Sequence, residues 1–259
     1  MAEKTTRTKV GRFKRGAAIL PSILTTGNLF FGFWAIVRTI HQDYAGAAVW
    51  IILAVLLDVF DGRIARMTGT ASEFGGELDS LADAISFGVA PAVLVYCWGM
   101  LTLPRAGWLV AFFFVVGGVM RLARYNVQRH AVDGRYFVGL PIPAAAGQLS
   151  TIILFAPEPV TQRSAAMLIG GMVLLLAVLM VSALRYPSFK QFDLRSRRRS
   201  VVVLGIAAVF LLIAWRPTWA LPLMGIAYAL SGPLSYLLAV LRRRGGKPAA
   251  SPTPAGAGI

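Results

Sequence analysis

The stretch Ile51-Ile-Leu-Ala-Val-Leu-Leu-Asp58-Val-Phe-Asp61 ends a continuous apolar run with two carboxylates, and Asp79 and Asp83 follow in the next apolar segment. Apolar runs of roughly 17 to 25 residues are typical of membrane-spanning helices. An ionised side chain inside such a helix costs at least about 2.5 kcal/mol on insertion scales. We therefore interpret the four aspartates as a functional site within a membrane protein.

The composition of the whole chain supports this interpretation. Of the 259 residues, 57% are hydrophobic and only 14% are charged, which fits neither an average globular domain nor a disordered chain. We predict an all-α integral membrane protein, a polytopic helical bundle of about eight transmembrane helices. Continuous apolarity over these lengths argues against large soluble core helices. The approximate spans are 19–39, 45–66, 77–99, 106–124, 140–157, 164–184, 200–215 and 218–240.

Composition also divides the chain into three parts. Residues 1–18 are basic and lack the apolar core and cleavage site of a secretory signal, so we predict a cytoplasmic arm with a short juxtamembrane helix. Residues 19–240 form the transmembrane domain. Residues 241–259 are rich in Ala, Gly and Pro without an apolar period, which predicts a disordered tail.

The basic residues orient the predicted bundle. With eight spans and both termini on one side, that side holds all of the 26 Lys and Arg residues except Arg38, Arg105, Arg163 and Arg216. Short cytoplasmic loops collect Lys and Arg, so we predict a multi-pass protein of the cell's cytoplasmic membrane whose termini and aspartates face the cytoplasm. The net charge of +15 lies in juxtamembrane loops without interleaved aromatic residues. This favours anionic lipid headgroups as partners and argues against nucleic acid.

Cysteine and histidine are too scarce to build a site. The single cysteine, Cys97, excludes an intramolecular disulfide. His41 and His130 fall in predicted loops on opposite sides of the membrane, so a metal site made of His and Cys is not expected.

Helical periodicity places the aspartates in two pairs. Asp58 and Asp61 are three residues apart, and Asp79 and Asp83 are four apart, so each pair lies on one helical face. At 1.5 Å per residue, both pairs lie roughly 5 to 12 Å inside the cytoplasmic end. Four carboxylates this close repel one another unless cations neutralise them, and an all-oxygen set suits Mg²⁺ or Mn²⁺. We predict a site for one or two metal ions, with two favoured by four ligands.

Two other interpretations of the aspartates remain open. Carboxylates in transport proteins serve as proton relays or cation sites, and two of these four could form structural ion pairs with Arg63 and Arg66. Gly62 and Gly75 favour a binding pocket instead, because a missing side chain lets a bulky ligand approach the backbone. Together with the carboxylates and Arg66, they outline a pocket for a diphosphate.

The complete motif resembles the signature of the CDP-alcohol phosphotransferase family at every fixed position. It reads Asp58-x2-Asp61-Gly62-x2-Ala65-Arg66-x8-Gly75-x3-Asp79-x3-Asp83. The resemblance implies a six-helix catalytic core, here with two further C-terminal helices, and a homodimer. It also implies that a CDP-linked alcohol donates its phosphoryl-alcohol moiety to an acceptor hydroxyl and releases CMP.

The same resemblance assigns roles to the motif residues. It implies that Asp58, Asp61 and Asp79 hold the metals, and that Asp83 is a metal neighbour and the general base. The pocket for CDP and its diphosphate would be lined by Gly62, Ala65, Arg66 and Gly75. We add Thr25 and Asn28 of the first helix as candidates for this pocket, although such residues also form ordinary interhelical hydrogen bonds.

Segments outside the motif resemble the bacterial and archaeal phosphatidylserine synthase branch of the family. They are the segments 79–91, 121–126, 137–144 and 185–190, with 20–28 similar apart from Ser22, where that branch commonly has Asn. This implies CDP-diacylglycerol and L-serine as substrates and phosphatidylserine and CMP as products. The alternatives are the same chemistry with glycerol phosphate, inositol phosphate or choline as acceptor, and, more remotely, a cation-coupled transporter.

Residues at the cytoplasmic end of the fourth span are candidates for the acceptor site. The carboxylate of serine needs a cation, and bidentate arginine geometry fits a carboxylate or a phosphate. Arg121, Arg124 and Asn126 are therefore candidate serine- or phosphate-binding residues. The two arginines would serve equally well as positive anchors at the membrane surface.

Overall fold

The computed structural model describes residues 3–68, 73–128, 136–187 and 216–245, which are mainly helical. Eight α-helical segments lie in these ranges. They are α1 (Glu3–Ile40), α2 (Tyr44–Thr68), α3 (Glu73–Asp83), α4 (Ala90–Val95), α5 (Gly107–Gln128), α6 (Ile142–Phe155), α7 (Arg163–Val181) and α8 (Pro217–Gly245). A π-helical turn at Ala84–Val89 joins α3 to α4, and a second one at Tyr96–Met100 extends the same helix beyond α4.

Six helices of the described part are long and apolar enough to cross a membrane. Their apolar windows are Ser22–Ile40, Tyr44–Asp61, Phe74–Met100, Gly107–Gln128, Arg163–Val181 and Thr218–Leu238. A multi-pass helical bundle is thereby supported, whereas the predicted count of eight spans is not confirmed. The seventh predicted span, 200–215, lies outside the described residues.

The fifth predicted span is shorter in the structure than the sequence suggested. Its helix, α6, has 14 residues, which at 1.5 Å per residue is about 21 Å, against a hydrocarbon core of about 30 Å. Prolines explain both ends: Pro141 is the N-cap residue and Pro143 lies in the first turn, while Pro157 disfavours a helical conformation at Ala156. The apolar pattern alone did not indicate where this helix begins and ends.

The first and last helices of the structure cross the predicted boundaries between the arm, the transmembrane domain and the tail. α1 continues without a break from Glu3 to Ile40, so the basic arm and the first span share one helix. α8 extends to Gly245, five residues into the segment predicted as a tail, and residues 246–259 lie outside the described part. The boundaries 1–18, 19–240 and 241–259 stay a prediction.

Close packing of α1 on the first π-helical turn fixes the geometry around Asp83. A Cβ atom at Gly32 would lie 2.6 Å from Ser86 Cα, so only glycine allows this approach. Asn28 lies one turn before Gly32 on the same face of α1. Gly32 therefore brings the amide of Asn28 to the level of Asp83.

The bundle core consists of apolar side chains from most of the helices. α1 packs on α2, α2 on α6, α5 on α7 and α6 on α8. Fully buried residues of the core include Ile51, Phe87, Phe114, Leu149 and Met180. Many large apolar side chains on the outer faces are exposed, such as Phe33, Leu168 and Leu234, as expected for helices that face lipid.

A small antiparallel ladder is the exception to the helical architecture. β1 (Tyr136–Val138) pairs with β2 (Arg185–Pro187), with Phe137 opposite Tyr186. It joins the segment before α6 to the segment after α7. Between β1 and α6, Gly139 adopts a φ of +79°, a conformation that favours glycine.

Tyr186 of β2 attaches α8 to the bundle. Its side chain is fully buried, and its hydroxyl donates a hydrogen bond of 3.1 Å to the carbonyl oxygen of Ala229. Burial, and to a smaller extent the neighbouring Tyr228, raises the pKa of the Tyr186 phenol to about 12. The phenol therefore stays protonated and remains a donor at neutral pH.

Candidate metal centre and active site

Three of the four aspartates converge between α2 and the α3 helix. One carboxylate oxygen from each of Asp58, Asp79 and Asp83 lies within 4.8 Å of the other two. Asp58 and Asp79 are half-buried, whereas Asp83 is only 9% exposed. The hairpin of these two helices thus brings Asp58 of the first predicted pair and both aspartates of the second pair to one site.

The fourth aspartate, Asp61, lies beside this cluster. It is 6% exposed, and its Oδ2 accepts a hydrogen bond of 2.7 Å from the hydroxyl of Thr25. It lies within electrostatic range of Asp58, but it is not one of the three convergent carboxylates. Its role as a metal ligand stays a prediction.

Asn28 holds the carboxylate of Asp83. Its Nδ2 donates a hydrogen bond of 3.3 Å to Asp83 Oδ1. The backbone carbonyl oxygen of Asn28 accepts a hydrogen bond of 2.9 Å from the hydroxyl of Ser86. Within the described part of the chain, Asn28 Oδ1 is buried without a hydrogen-bond partner. The sequence analysis predicts Thr25 and Asn28 as residues of the CDP pocket, and in the structure both contact aspartates of the motif.

Arg121 is the cation next to the cluster. Arg121 is 8% exposed. Its guanidinium lies within electrostatic range of Asp83 and Asp58, with Cζ 5.9 Å from the ring centroid of Tyr125. Among the described residues its Nε has no hydrogen-bond partner. A guanidinium whose Nε is free of described partners and which lies within electrostatic range of the carboxylates is suited to bind an anionic group of a substrate.

The other two acceptor-site candidates contact protein groups. Arg124 Nη1 donates a hydrogen bond of 2.8 Å to the carbonyl oxygen of Val181, which ties α5 to the end of α7. Asn126 Nδ2 donates a hydrogen bond of 2.9 Å to the hydroxyl oxygen of Ser80, which connects α5 to α3. These contacts stabilise the framework around Arg121, and the binding roles of Arg124 and Asn126 stay predictions.

The remaining motif residues lie mostly at the edge of the described part. Gly62, Ala65 and Arg66 belong to α2, but their side-chain environment lies outside what the structure describes. Gly75 is half-buried near the start of α3. The predicted pocket for CDP therefore rests on sequence alone.

Sequence reasoning missed one residue near the site, Tyr228 of α8. Its phenol lies within electrostatic range of the Arg121 guanidinium. A signal was present, because Tyr228 is the one large side chain between Gly225 and Gly232 on one helical face. Without a partner helix, that spacing could not be distinguished from ordinary membrane packing.

The residues present fit a divalent cation. All three convergent ligands are carboxylates, the donor type that Mg²⁺ and Mn²⁺ prefer. Three carboxylates with one arginine beside them leave excess negative charge in a poorly solvated site. Hard divalent cations would neutralise that charge.

Comparisons with known proteins give one family. The profile of the CDP-alcohol phosphatidyltransferase family matches residues 18–184. The chain is 33% identical over 225 residues to the CDP-diacylglycerol–serine O-phosphatidyltransferase of Helicobacter pylori (strain J99), covering 86% of this chain and 93% of that protein. It is 36% identical over 172 residues to the enzyme of the same name from Bacillus subtilis (strain 168), covering 66% and 92%. It is also 38% identical over 170 residues to the archaetidylserine synthase of Methanothermobacter thermautotrophicus, covering 65% and 69%.

Proposed function

The chain belongs to the CDP-alcohol phosphatidyltransferase family, and we propose that it transfers the phosphatidyl group of CDP-diacylglycerol to the hydroxyl of L-serine, releasing CMP. The observation that carries this proposal is the convergence of Asp58, Asp79 and Asp83 in a chain that matches relatives with this activity in their names. The archaeal relative is named for a serine lipid too, which supports serine as the acceptor.

Asp83 is the general base in the proposed reaction. The hydrogen bond from Asn28 to Oδ1 fixes the plane of its carboxylate, and Oδ2 can then take the proton of the acceptor hydroxyl. The hydroxyl oxygen attacks the phosphorus that carries diacylglycerol. A new oxygen–phosphorus bond forms, the bond to the bridging oxygen breaks, and CMP leaves with the electron pair.

The other aspartates support this step by holding the cofactor. In this proposal Asp58, Asp61, Asp79 and Asp83 bind Mg²⁺ or Mn²⁺, as two ions, and the convergent carboxylate oxygens support it. When bound, such cations stabilise the negative charge of the diphosphate and of the leaving CMP. Gly62, Ala65, Arg66 and Gly75 would surround the diphosphate and cytidine.

The position of the site suits a lipid donor. The carboxylates lie in apolar helices near one end of the bundle, so the acyl chains of CDP-diacylglycerol can remain in the bilayer while its headgroup reaches them. Serine and CMP would exchange with the cytosol. We place the protein in the cytoplasmic membrane, with both termini and the site facing the cytoplasm and the basic loops in contact with anionic lipids. We also propose a homodimer, on the family resemblance alone.

An acceptor panel tests the proposed reaction. Purified protein in detergent with Mg²⁺ or Mn²⁺ and CDP-diacylglycerol is expected to release CMP when serine is added, and not with glycerol phosphate, inositol phosphate or choline. CMP is measured by chromatography and the lipid product by mass spectrometry. CMP release with another acceptor and not with serine would show that serine is the wrong acceptor, while the phosphatidyl-transfer reaction would stand. Cation flux in proteoliposomes without CMP release would instead establish the transporter alternative.

Replacing Arg121 tests the acceptor site. Arg121→Lys keeps the charge but removes the bidentate fork, so we expect KM for serine to rise by about tenfold or more, with KM for CDP-diacylglycerol changed far less. Initial rates at varied concentrations of each substrate measure both constants. Arg105→Lys, an exposed residue outside the site, is the matched control. An unchanged KM for serine in Arg121→Lys would remove Arg121 from the acceptor site.

A further inference from the structure

Two polar side chains of α1 face the motif aspartates. Thr25 and Asn28 are three residues apart, so they lie on one helical face, and they are 4% and 1% exposed. The hydroxyl of Thr25 donates a hydrogen bond to Asp61 Oδ2. The amide of Asn28 donates one to Asp83 Oδ1. This face of α1 therefore contacts the second aspartate of each predicted pair directly.

The position of Asn28 is fixed by contacts with the π-helical turn that follows Asp83. Ser86, which is fully buried in this turn, donates a hydrogen bond of 2.9 Å to the backbone carbonyl oxygen of Asn28. Gly32, one turn further along α1, approaches Ser86 so closely that a Cβ atom there would lie 2.6 Å from Ser86 Cα. These contacts hold the Asn28 amide beside Asp83.

The Asn28 amide has one polar atom that the described protein groups do not pair. A carboxylate accepts hydrogen bonds, so the amide presents its donor, Nδ2, to Asp83. Its acceptor, Oδ1, is buried and has no hydrogen-bond partner among the described residues. Buried side-chain oxygens are normally paired. A substrate that brings a donor next to Asp83 would supply the partner.

The separation between this oxygen and the candidate base suits an amino alcohol. The oxygen and nitrogen of an amide are about 2.3 Å apart. Given the bond of 3.3 Å from Nδ2, Asn28 Oδ1 lies within about 6 Å of Asp83 Oδ1. In serine, two carbons separate the hydroxyl oxygen from the ammonium nitrogen, a distance of about 3 to 4 Å. A serine hydroxyl bonded to Asp83 Oδ2 can therefore place its ammonium at Asn28 Oδ1.

We propose that Asn28 selects an amino-alcohol acceptor: its Nδ2 orients Asp83, and its Oδ1 accepts a hydrogen bond from the ammonium of the acceptor. This inference rests on the proposed phosphatidyl transfer and names the residue that recognises one end of the acceptor. The carboxylate at the other end is the group proposed for Arg121 of α5, and α5 packs against the same π-helical turn.

This role distinguishes serine from the alternative acceptors. Choline carries its charge on a nitrogen without hydrogen, so it would leave Oδ1 unpaired, and a site built to bond a polar group rejects analogues that lack it. The hydroxyls of glycerol phosphate and inositol phosphate are neutral donors. A hydrogen bond from a charged donor is roughly twice as strong, so the ammonium of serine is favoured.

The competitor 3-hydroxypropanoate tests the ammonium contact. It is serine without the ammonium, and it competes with serine whether or not it is itself transferred. We expect its Ki in the wild-type protein to exceed KM for serine by about tenfold or more, because a hydrogen bond from a charged group is lost. A ratio of Ki to KM near one, in protein that releases CMP with serine, would overturn this inference and leave the proposed function standing.

Asn28→Leu removes both polar atoms of the amide at similar volume. The ratio of Ki to KM should fall to within about twofold of one, and kcat should fall about tenfold because Asp83 loses its donor. The matched control is Thr39→Val, since Thr39 is also buried on α1 but bonds Ala35 of its own helix. It should leave the ratio and kcat unchanged.

Two results with Asn28→Leu would overturn the selection of the acceptor. A fall in kcat with an unchanged ratio would mean that Asn28 only orients Asp83. A higher metal concentration for half-maximal CMP release, again with an unchanged ratio, would make Oδ1 a metal ligand instead.

Asn28→Asp tests the same contact in the opposite direction. It keeps the shape and an oxygen for the ammonium but replaces the donor to Asp83 by a second acceptor. Its kcat should fall, whereas the ratio of Ki to KM should rise by about threefold or more, because the ammonium now meets a charged oxygen. Tm in detergent reports the folding of each variant. A folded Asn28→Asp protein with a wild-type ratio would contradict the ammonium contact.

The wild-type protein separates this inference from the proposed function. If it releases CMP with serine, the ratios of Ki to KM decide the role of Asn28 alone. If only another acceptor, or none, supports CMP release, serine transfer and the ammonium contact are both refuted.

Discussion

Asp83→Asn should abolish serine-dependent CMP formation while the protein still folds. We expect a fall in kcat of about a thousandfold or more, since a positioned base contributes roughly 10² to 10⁴ in rate and the same carboxylate belongs to the metal cluster. The replacement keeps an oxygen that accepts the hydrogen bond from Asn28, so the local packing should survive. CMP release under saturating substrates measures the effect.

The control for this variant is Glu77→Gln, which removes an exposed carboxylate from the same helix. It should keep wild-type activity, because Glu77 lies outside the cluster. Tm and elution volume in detergent should be similar for wild-type and both variants. Normal turnover by a correctly folded Asp83→Asn protein would exclude Asp83 as the base.

The convergence of three aspartates could be predicted because its determinants are local in sequence. The spacing of Asp58, Asp79 and Asp83 on two consecutive helices fixes their faces, and a short connection folds one helix onto the other. The structure agrees that these carboxylates converge. It also shows that Asp61 accepts a hydrogen bond from Thr25 and is not one of the three convergent carboxylates.

The contacts made by distant residues could not be predicted in the same way. Arg121 and Arg124 lie three residues apart and look equivalent in sequence, yet one faces the carboxylates and the other bonds the end of α7. That difference depends on how α5 packs against α7. For the same reason, the spacing of Tyr228 between Gly225 and Gly232 could not be interpreted before α8 was seen against α6.

The helix boundaries show a similar limit. Hydropathy located most of the spans, but the short α6 depends on prolines at both ends. The π-helical turn after Asp83 was not visible in the apolar pattern either. Such turns occur often at functional sites, and here one presents Ser86 to the backbone of Asn28.

Asp58→Asn should change stability in opposite directions with and without metal. In the metal-free protein three carboxylates have oxygens within 4.8 Å, and at an effective dielectric constant near 20 each charged pair repels by about 3 kcal/mol. Removing one charge should therefore raise Tm in the presence of a chelator. The wild-type protein should gain stability when Mg²⁺ or Mn²⁺ is added, because binding to the folded state stabilises it, whereas the variant should gain little.

The activity of Asp58→Asn should follow metal binding. We expect the metal concentration for half-maximal CMP release to rise by about a hundredfold, since one charged ligand is lost from a hard-cation site. Glu158→Gln is the matched control, because it removes one negative charge from an exposed loop and should leave the metal response unchanged. Thermal unfolding and CMP release, each titrated with metal, measure the two effects. If Asp58→Asn and the wild-type protein gave the same metal-dependent rise in Tm, these carboxylates would not be the metal site, and the excess of negative charge beside Arg121 would need another explanation.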